Sequence, residues 1–389
     1  MSSAEPEPGW IAAAAARIAA AAPARICRLV DISTPSGDCA AAERAVAAVV
    51  AMLPLAAAAK RLPCSTPAHA PDLLATLTGR GSGRVVLLGH LDTVVAHRDH
   101  RPFKVDGERI DGSGIVDMKG GDVLAIGLFE ELAARPEWFE RLALLFVNDE
   151  EWRRHGFGHR DRFAGWEACL CFEAGELGLD GADAVVVRRK AATTLRVIAS
   201  GVSAHSGANP DDGASALLAL AKLTPELAAL HDADGFDRLT VVPTVLRSGE
   251  ALNVVPDRGE LLLDLRADRA DAFDSVLAAV PSEIDSVSLR ADFIRLWPAM
   301  DSRESAAPAL AAAAQLLGRP IVAGSRGGAS DASHLAARVR IAIDGLGPIG
   351  GGAHAPDEHI LASSLRPRAE VALALALATL GAGFEPSPC

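Results

Sequence analysis

Three short apolar runs each end in groups that ionise, and this recurrence limits the fold more than any other feature of the chain. "RVVLLGHLD" delivers His90 and Asp92, "LALLFVNDEE" delivers Asp149, Glu150 and Glu151, and "EACLCFE" delivers Glu173. Such runs, separated by helical patterns like "MKGGDVLAIGLFEEL", read as strands buried on both faces of a mostly parallel sheet covered by helices. Ligands of open α/β sheets bind beyond the carboxyl ends of the strands. The ionisable groups therefore collect where a ligand is expected.

The composition agrees. Of 389 residues, 50% are hydrophobic and only 4% aromatic, so the core is built from Ala, Val and Leu. That suits helices on a parallel sheet better than an aromatic-rich sandwich. A formal charge of −12, dispersed along the chain, argues against a nucleic-acid surface. The six cysteines (27, 39, 64, 169, 171 and 389) show no CxxC spacing, so neither a zinc ribbon nor a disulfide framework is expected. Cys169 and Cys171 read as small buried hydrophobes on one strand face. The N-terminal "IAAAAARIAAAAPARI" follows an acidic start and carries Arg17 and Arg25, unlike a secretory signal. It reads as an amphipathic helix. No stretch reads as long and charge-free enough to span a bilayer, and a cytoplasmic location is expected.

From about residue 191 the pattern changes to alternating apolar and polar residues. "TTLRVIAS", "RLTVVPTVL", "GELLLDLRA" and "SVSLRADF" read as half-buried strands, and "GASALLALAKLTPELAAL" and "DAFDSVLAAV" as helices. The expected architecture is an α/β domain, residues 1–190 with 299–389, with helices on both sheet faces. It is interrupted by an inserted α+β domain, residues 191–298, with a four-stranded antiparallel sheet and two helices.

Asp117 in "GSGIVDMKGG" and His354 in "GPIGGGAHAPDEH" join the groups at the strand ends. Singly, each has a bland reading: a hydrogen-bonded histidine, a solvated acidic turn, a glycine-rich loop. Together, His90, Asp117, Glu151, Glu173 and His354 supply two imidazoles and three carboxylates. One bridging carboxylate, plus one histidine and one terminal carboxylate per ion, completes a two-metal site able to activate water at neutral pH. Asp92, two residues from His90, can hold the second imidazole N–H.

These motifs resemble the M20 metallopeptidase and amidohydrolase family, which includes glutamate carboxypeptidases, acetylornithine and succinyl-diaminopimelate deacylases and aminoacylases. The resemblance spans nearly the whole chain, through "GHLDTV", "DGSGIVDMKGG", "NDEE", "FEAGE", "GVSAHSGANPDDGASAL", "LNVVPDRGELLLDLRAD", "GGASDASHL" and "GLGPIGGGAHAPDEHI" in order. It implies two divalent ions per chain, zinc first with cobalt or manganese as alternatives. One is implied on His90, Asp117 and Glu173, the other on Asp117, Glu151 and His354. It further implies Glu150 as general base, Asp92 as the residue orienting His90, and a cis peptide between Asp117 and Met118. The inserted domain corresponds to the family's lid and dimer interface. His205 is implied to reach the partner's site and stabilise the oxyanion, and Asn253 and Arg266 to bind substrate, the arginine through a free carboxylate.

The reaction so implied is hydrolysis of an amide next to a free carboxylate in a small or short-peptide substrate, carboxypeptidase-like. An N-acyl-amino-acid deacylase is the alternative. A metal-stabilised binding protein without activity is the alternative of another class, which a missing ligand or base would signal; none is missing. One stretch departs from the family pattern. "WRRHGFGHRDRF", residues 152–163, replaces a small-residue segment, and Arg153, Arg154, His155 and His159 read as a solvated loop rather than contacts to an acidic substrate. The "HRDH" at 97–100 reads as a polar loop.

Overall fold

The computed structural model describes residues 6–381 and builds its central sheet from six strands. Their order is Ala58–Leu62, Asp72–Thr78, Arg141–Val147, Arg84–His90, Ala168–Cys171 and Ile341–Ile343. The last four run parallel. The first two, which carry no strong apolar run, add an antiparallel edge. Strand alternation sends Val85, Leu87, Leu142 and Leu144 to one face, and Val86, Leu88, Ala143 and Leu145 to the other. Both sets are buried, which is why these strands read as continuous apolar runs.

The two faces are covered differently. Helices Trp10–Val30, Gly120–Ala133 and Leu365–Leu380 pack on the first face. The second is closed by the five-residue helix Ala332–Ala336 and by Phe157, Phe163 and Trp166 of an irregular segment. Helices therefore lie on both faces, as expected, and on the second the short helix shares the covering with these three aromatic side chains. Cys169 and Cys171 are buried there, as expected; Cys389 lies outside the described residues. Helix Trp10–Val30, of 21 residues, is long and apolar enough to cross a membrane by length and composition alone, but it carries Arg17, Arg25 and Arg28. Its apolar positions Ala14, Ile18, Ala22, Ile26 and Leu29 are all in the core.

Residues 191–297 form an antiparallel sheet in the order Thr240–Ser248, Arg258–Ala267, Ala191–Ser200, Val287–Trp297 and Glu283–Ile284. The fifth strand, of two residues, was not legible in the sequence. Leu195, Val197, Leu261, Leu263 and Leu265 meet Leu220, Leu223 and Leu227 of helix Ala216–Ala228, and Phe273 and Val276 of helix Phe273–Ala278. This core is separate from those of the central sheet. The opposite sheet face carries Thr194, Leu262, Asp264 and Arg266, none fully buried. A further parallel pair, Asp183–Arg189 and Ile321–Arg326, lies beside the central sheet.

Helix Gly120–Ala133 starts three residues after Asp117, so its seating helps to aim that carboxylate. Gly121 permits the seating: a Cβ there would lie 1.8 Å from the Phe172 carbonyl oxygen, one residue before Glu173. Backbone on both sides cannot give way. Gly121→Ala is expected to lose roughly 1–3 kcal/mol or more of stability in urea unfolding, as overpacked sites do; a loss within ±0.5 kcal/mol would contradict this close approach.

Candidate metal centre

His90 is the last residue of its central strand, and Asp92 follows in the loop beyond it. Asp117 lies in a kinked turn ahead of helix Gly120–Ala133, and the Asp117–Met118 peptide is cis. Glu150 and Glu151 follow Arg141–Val147, and Glu173 follows Ala168–Cys171. His354 arrives from the glycine-rich loop with φ of 65°, in the left-handed region. A non-glycine residue there is uncommon, although histidine tolerates it better than most.

These side chains converge on Asp117. His90 Nε2 lies 3.1 Å from Asp117 Oδ1, and His354 Nε2 lies 3.1 Å from Asp117 Oδ2. Glu173 Oε1 is 3.9 Å from His90 Nε2, and Glu151 Oε1 is 3.1 Å from His354 Nε2. His90, Asp117 and Glu173 thus form one three-donor group and Asp117, Glu151 and His354 another, the donor atoms of each within 4.8 Å of one another. Imidazole and carboxylate donors, with one carboxylate facing both histidines, fit a pair of divalent cations.

Neighbouring groups hold the donors in place. Glu358 accepts hydrogen bonds from the amides of Gly114 (2.7 Å), Val116 (2.9 Å) and Asp117 (3.2 Å), clamping the turn that presents Asp117. It stands in the "HAPDEH" run beside His354 and was missed because an acid in a turn carries no distinguishing signal. Asp92 lies against the second nitrogen of His90: Nδ1 is 3.0 Å from its backbone carbonyl and 3.5 Å from its carboxylate. The carboxylate also accepts from the amides of Glu150 (3.1 Å) and Glu151 (3.2 Å). Asp92 therefore orients two strand ends at once.

The electrostatics favour bound cations. Burial, with the Asp117 charge added, pushes the Glu173 carboxyl up to about 8. Burial likewise raises Glu151, and raises Glu150 well above the carboxylate range. Burial disfavours charge on His90, but its hydrogen bonds to Asp117 and Asp92 outweigh this and raise its pKa well above the ordinary value. Hydrogen bonds to Asp117 and Glu151 raise His354 to about 10. For Asp117, burial opposes ionisation, yet the His354 and His90 hydrogen bonds prevail and hold its pKa below the usual range.

The expected solvated loop at 152–163 needs correction. Arg154 and His155 are exposed, but Arg153 and His159 are buried. Arg153 Nη2 donates to Asp149 Oδ1 at 2.6 Å and to Asp331 Oδ2 at 2.9 Å, and its guanidinium lies 4.8 Å from the Phe157 ring centroid. His159 Nε2 sits 2.8 Å from Asp72 Oδ2. A buried guanidinium requires paired carboxylates, so Asp149, the first member of the acidic triplet, anchors the loop. Cys64, Asp72 and Asp149 also cluster. Their carboxylates are already engaged by His159, the Asn148 amide, Thr66 and Arg153, which accounts for the cluster without an ion.

A cavity of about 430 Å³ opens over the donors and is lined by Glu150, Arg266, Arg295 and Trp297 among others. Arg266 also holds Asp264 at 2.9 and 3.2 Å. His205 and Asn253 are exposed and line no part of this cavity. His205 Nδ1 accepts from the amides of Gly207 and Ala208, both at 3.1 Å. Arg295 and Trp297 were missed because an arginine on an alternating strand looks like surface.

A parallel sheet with a histidine–carboxylate cluster at its carboxyl ends defines a metal-dependent hydrolase. The chain belongs to peptidase family M20/M25/M40, whose description matches residues 86–378. It is an enzyme, a metallopeptidase/amidohydrolase that cleaves amide bonds. It is 26% identical over 332 residues to carboxypeptidase G2 of Pseudomonas sp. (strain RS-16), covering 80% of this chain and 77% of the relative. It is 32% identical over 250 residues to succinyl-diaminopimelate desuccinylase of Corynebacterium glutamicum, covering 61% and 64%. A tripeptidase structure from Staphylococcus aureus shares the fold, with TM-score 0.73, 17% identity and coverage of 93% and 99%.

Because Glu173 is pushed up to about 8 and His354 to about 10, and hydrogen bonds to Asp117 and Asp92 shift His90 upward, cation binding is expected to displace protons from this cluster. Affinity should therefore rise with pH from about 6 to 8 and fall on acidification. Calorimetric titration of metal into metal-free protein at pH 7, in two buffers of different ionisation enthalpy, should register net proton release. No release would contradict these protonation states.

Proposed function

We propose that the protein is a dinuclear metal-dependent hydrolase of an amide next to a free carboxylate, carboxypeptidase-like on a small peptide or amino-acid conjugate. Residues 1–190 with 299–389 would form the catalytic domain, and 191–298 the lid. One ion would be held by His90, Asp117 and Glu173 and the other by Asp117, Glu151 and His354, with zinc favoured by the mixed nitrogen and oxygen donors. Bound, the pair would supply an activated water and a polarised carbonyl.

The observation that carries the reading is Glu150. It is half-buried, lines the donor cavity, and belongs to neither donor group. It takes the proton from the attacking water and passes it to the leaving nitrogen, acting as base and then acid. Asp92 fixes its position through the Glu150 amide. Arg266 and Arg295 on the cavity wall support recognition of a substrate carboxylate. An N-acyl-amino-acid substrate meets the same groups, so dipeptides compared with N-acetyl amino acids separate the two readings.

His205 lies away from its own chain's donor cavity, so a role in oxyanion stabilisation requires a second copy. A homodimer through 191–298 is supported by the exposed Leu217, Leu218, Leu246 and Val254 and by the outer edge of strand Thr240–Ser248. Asn253, beside His205 at this surface, would contact substrate there. The core position of helix Trp10–Val30 supports a cytoplasmic reading over an anchored one.

Glu150→Ala should keep its metal and lose turnover by roughly 10²–10⁴-fold. Elemental analysis with steady-state kinetics on an amide panel checks both. A metal-loaded variant retaining wild-type turnover would remove Glu150 from the mechanism.

A further inference from the structure

The cleft extends beyond the donors. The cavity above them meets a second of about 840 Å³, and Glu151, Trp152 and Arg295 line both. The second cavity is walled by Val242, Leu262 and Ile294, from the sheet face turned away from the packed helices, with exposed Arg154 and His155 bordering it. Leu262 alternates with Leu261 and Leu263, which are sealed in the helix-covered core. The sheet thus spends apolar side chains on a face that packs no helix.

Arg295 stands where the cavities meet. Its Nε is 3.1 Å from Thr194 Oγ1, and its guanidinium lies 5.6 Å from the Trp297 ring centroid. Its nearest ion-pair partner is Asp264, at 3.7 Å. That carboxylate is already held by both Nε and Nη2 of Arg266. Two guanidiniums share one carboxylate, leaving one positive charge in excess on this wall. The other arginines of the first cavity are matched: Arg189 by Asp344 at 2.7 Å, and Arg326 by Glu176. A half-buried, under-neutralised guanidinium between two cavities is an anion receptor.

We propose that, with the substrate's free carboxylate at Arg295, the second cavity selects the side chain beside it, so that the preferred substrate is an amide of an amino acid with a bulky apolar side chain. The reasoning is geometric. A carboxylate at Arg295 lies between the amide at the donors and the second cavity. In an N-acylated amino acid the carboxylate and side chain leave the same carbon, so the side chain enters that cavity against Trp152, Val242, Leu262 and Ile294. This rests on the amide-hydrolase reading and adds the side of the scissile bond on which selectivity resides.

Steady-state kinetics of the metal-loaded full-length enzyme on N-acetyl derivatives of phenylalanine, leucine, glycine and glutamate, and on N-acetylphenylalanine amide, tests it. Phenylalanine and leucine should exceed glycine and glutamate in kcat/KM by at least about 10-fold, the scale of a buried apolar group. Arg295→Ala should cut the preference for N-acetylphenylalanine over its carboxamide roughly 10- to 100-fold, mainly through KM, with partial recovery in Arg295→Lys. Val242→Trp, which narrows the second cavity, should penalise phenylalanine more than glycine. Preference for glutamate or glycine, or an unchanged carboxylate preference in Arg295→Ala, would overturn the assignment. Binding of N-acetylphenylalanine to metal-loaded Glu150→Ala, followed by tryptophan fluorescence, needs no turnover. Binding weakened by adding Arg295→Ala supports the proposal, and binding unaffected by it refutes the proposal. An enzyme inactive on every amide would count against the hydrolase reading alone.

Discussion

The structure turns on one carboxylate placed between two imidazoles. Asp117 presents one oxygen to His90 and the other to His354, each at 3.1 Å. These histidines come from elements 264 residues apart in sequence, so their meeting depends on the whole central sheet. Glu358 clamps the turn bearing Asp117 through three amides. Gly121 lets the following helix sit against the backbone that leads to Glu173. Each of these contacts keeps the shared carboxylate within reach of both donor groups.

Gathering four half-buried acids around one cavity is unfavourable unless positive charge offsets them. Without metal the pocket finds that charge in protons, which is why Glu173 and both histidines titrate high. Divalent cations answer the same demand with geometry as well as charge. Asp149 shows the contrast. It is adjacent to Glu150 but faces away, and Arg153 neutralises it. One acidic triplet therefore divides into a loop anchor, a proposed proton carrier and a candidate ligand.

The sheet and the donor cluster were legible because both follow local rules. A continuous apolar run marks a doubly buried strand, and its terminal acids and imidazoles then fall together at one edge. The inserted unit showed in its alternation. Less visible were features set by distant partners. Arg153 looked like loop surface because its carboxylates lie at 149 and 331, and the second cannot be paired from sequence. Arg295 gave no signal because its significance comes from Asp264 being held by Arg266 on another strand. The edge strands at 58–62 and 72–78 were passed over for lack of a strong apolar pattern. The share that Phe157, Phe163 and Trp166 take in closing the second sheet face, beside helix Ala332–Ala336, was also hidden, because they come from a segment with no α-helical period.

The most direct test of the shared carboxylate is metal content per chain, by elemental analysis, in wild-type protein and Asp117→Ala purified without chelator. Two divalent ions in the wild type and none retained by the variant, with the fold intact by circular dichroism, is the predicted result. A variant that keeps one ion at wild-type affinity would show that the two donor groups do not depend on Asp117 together, and would contradict the account.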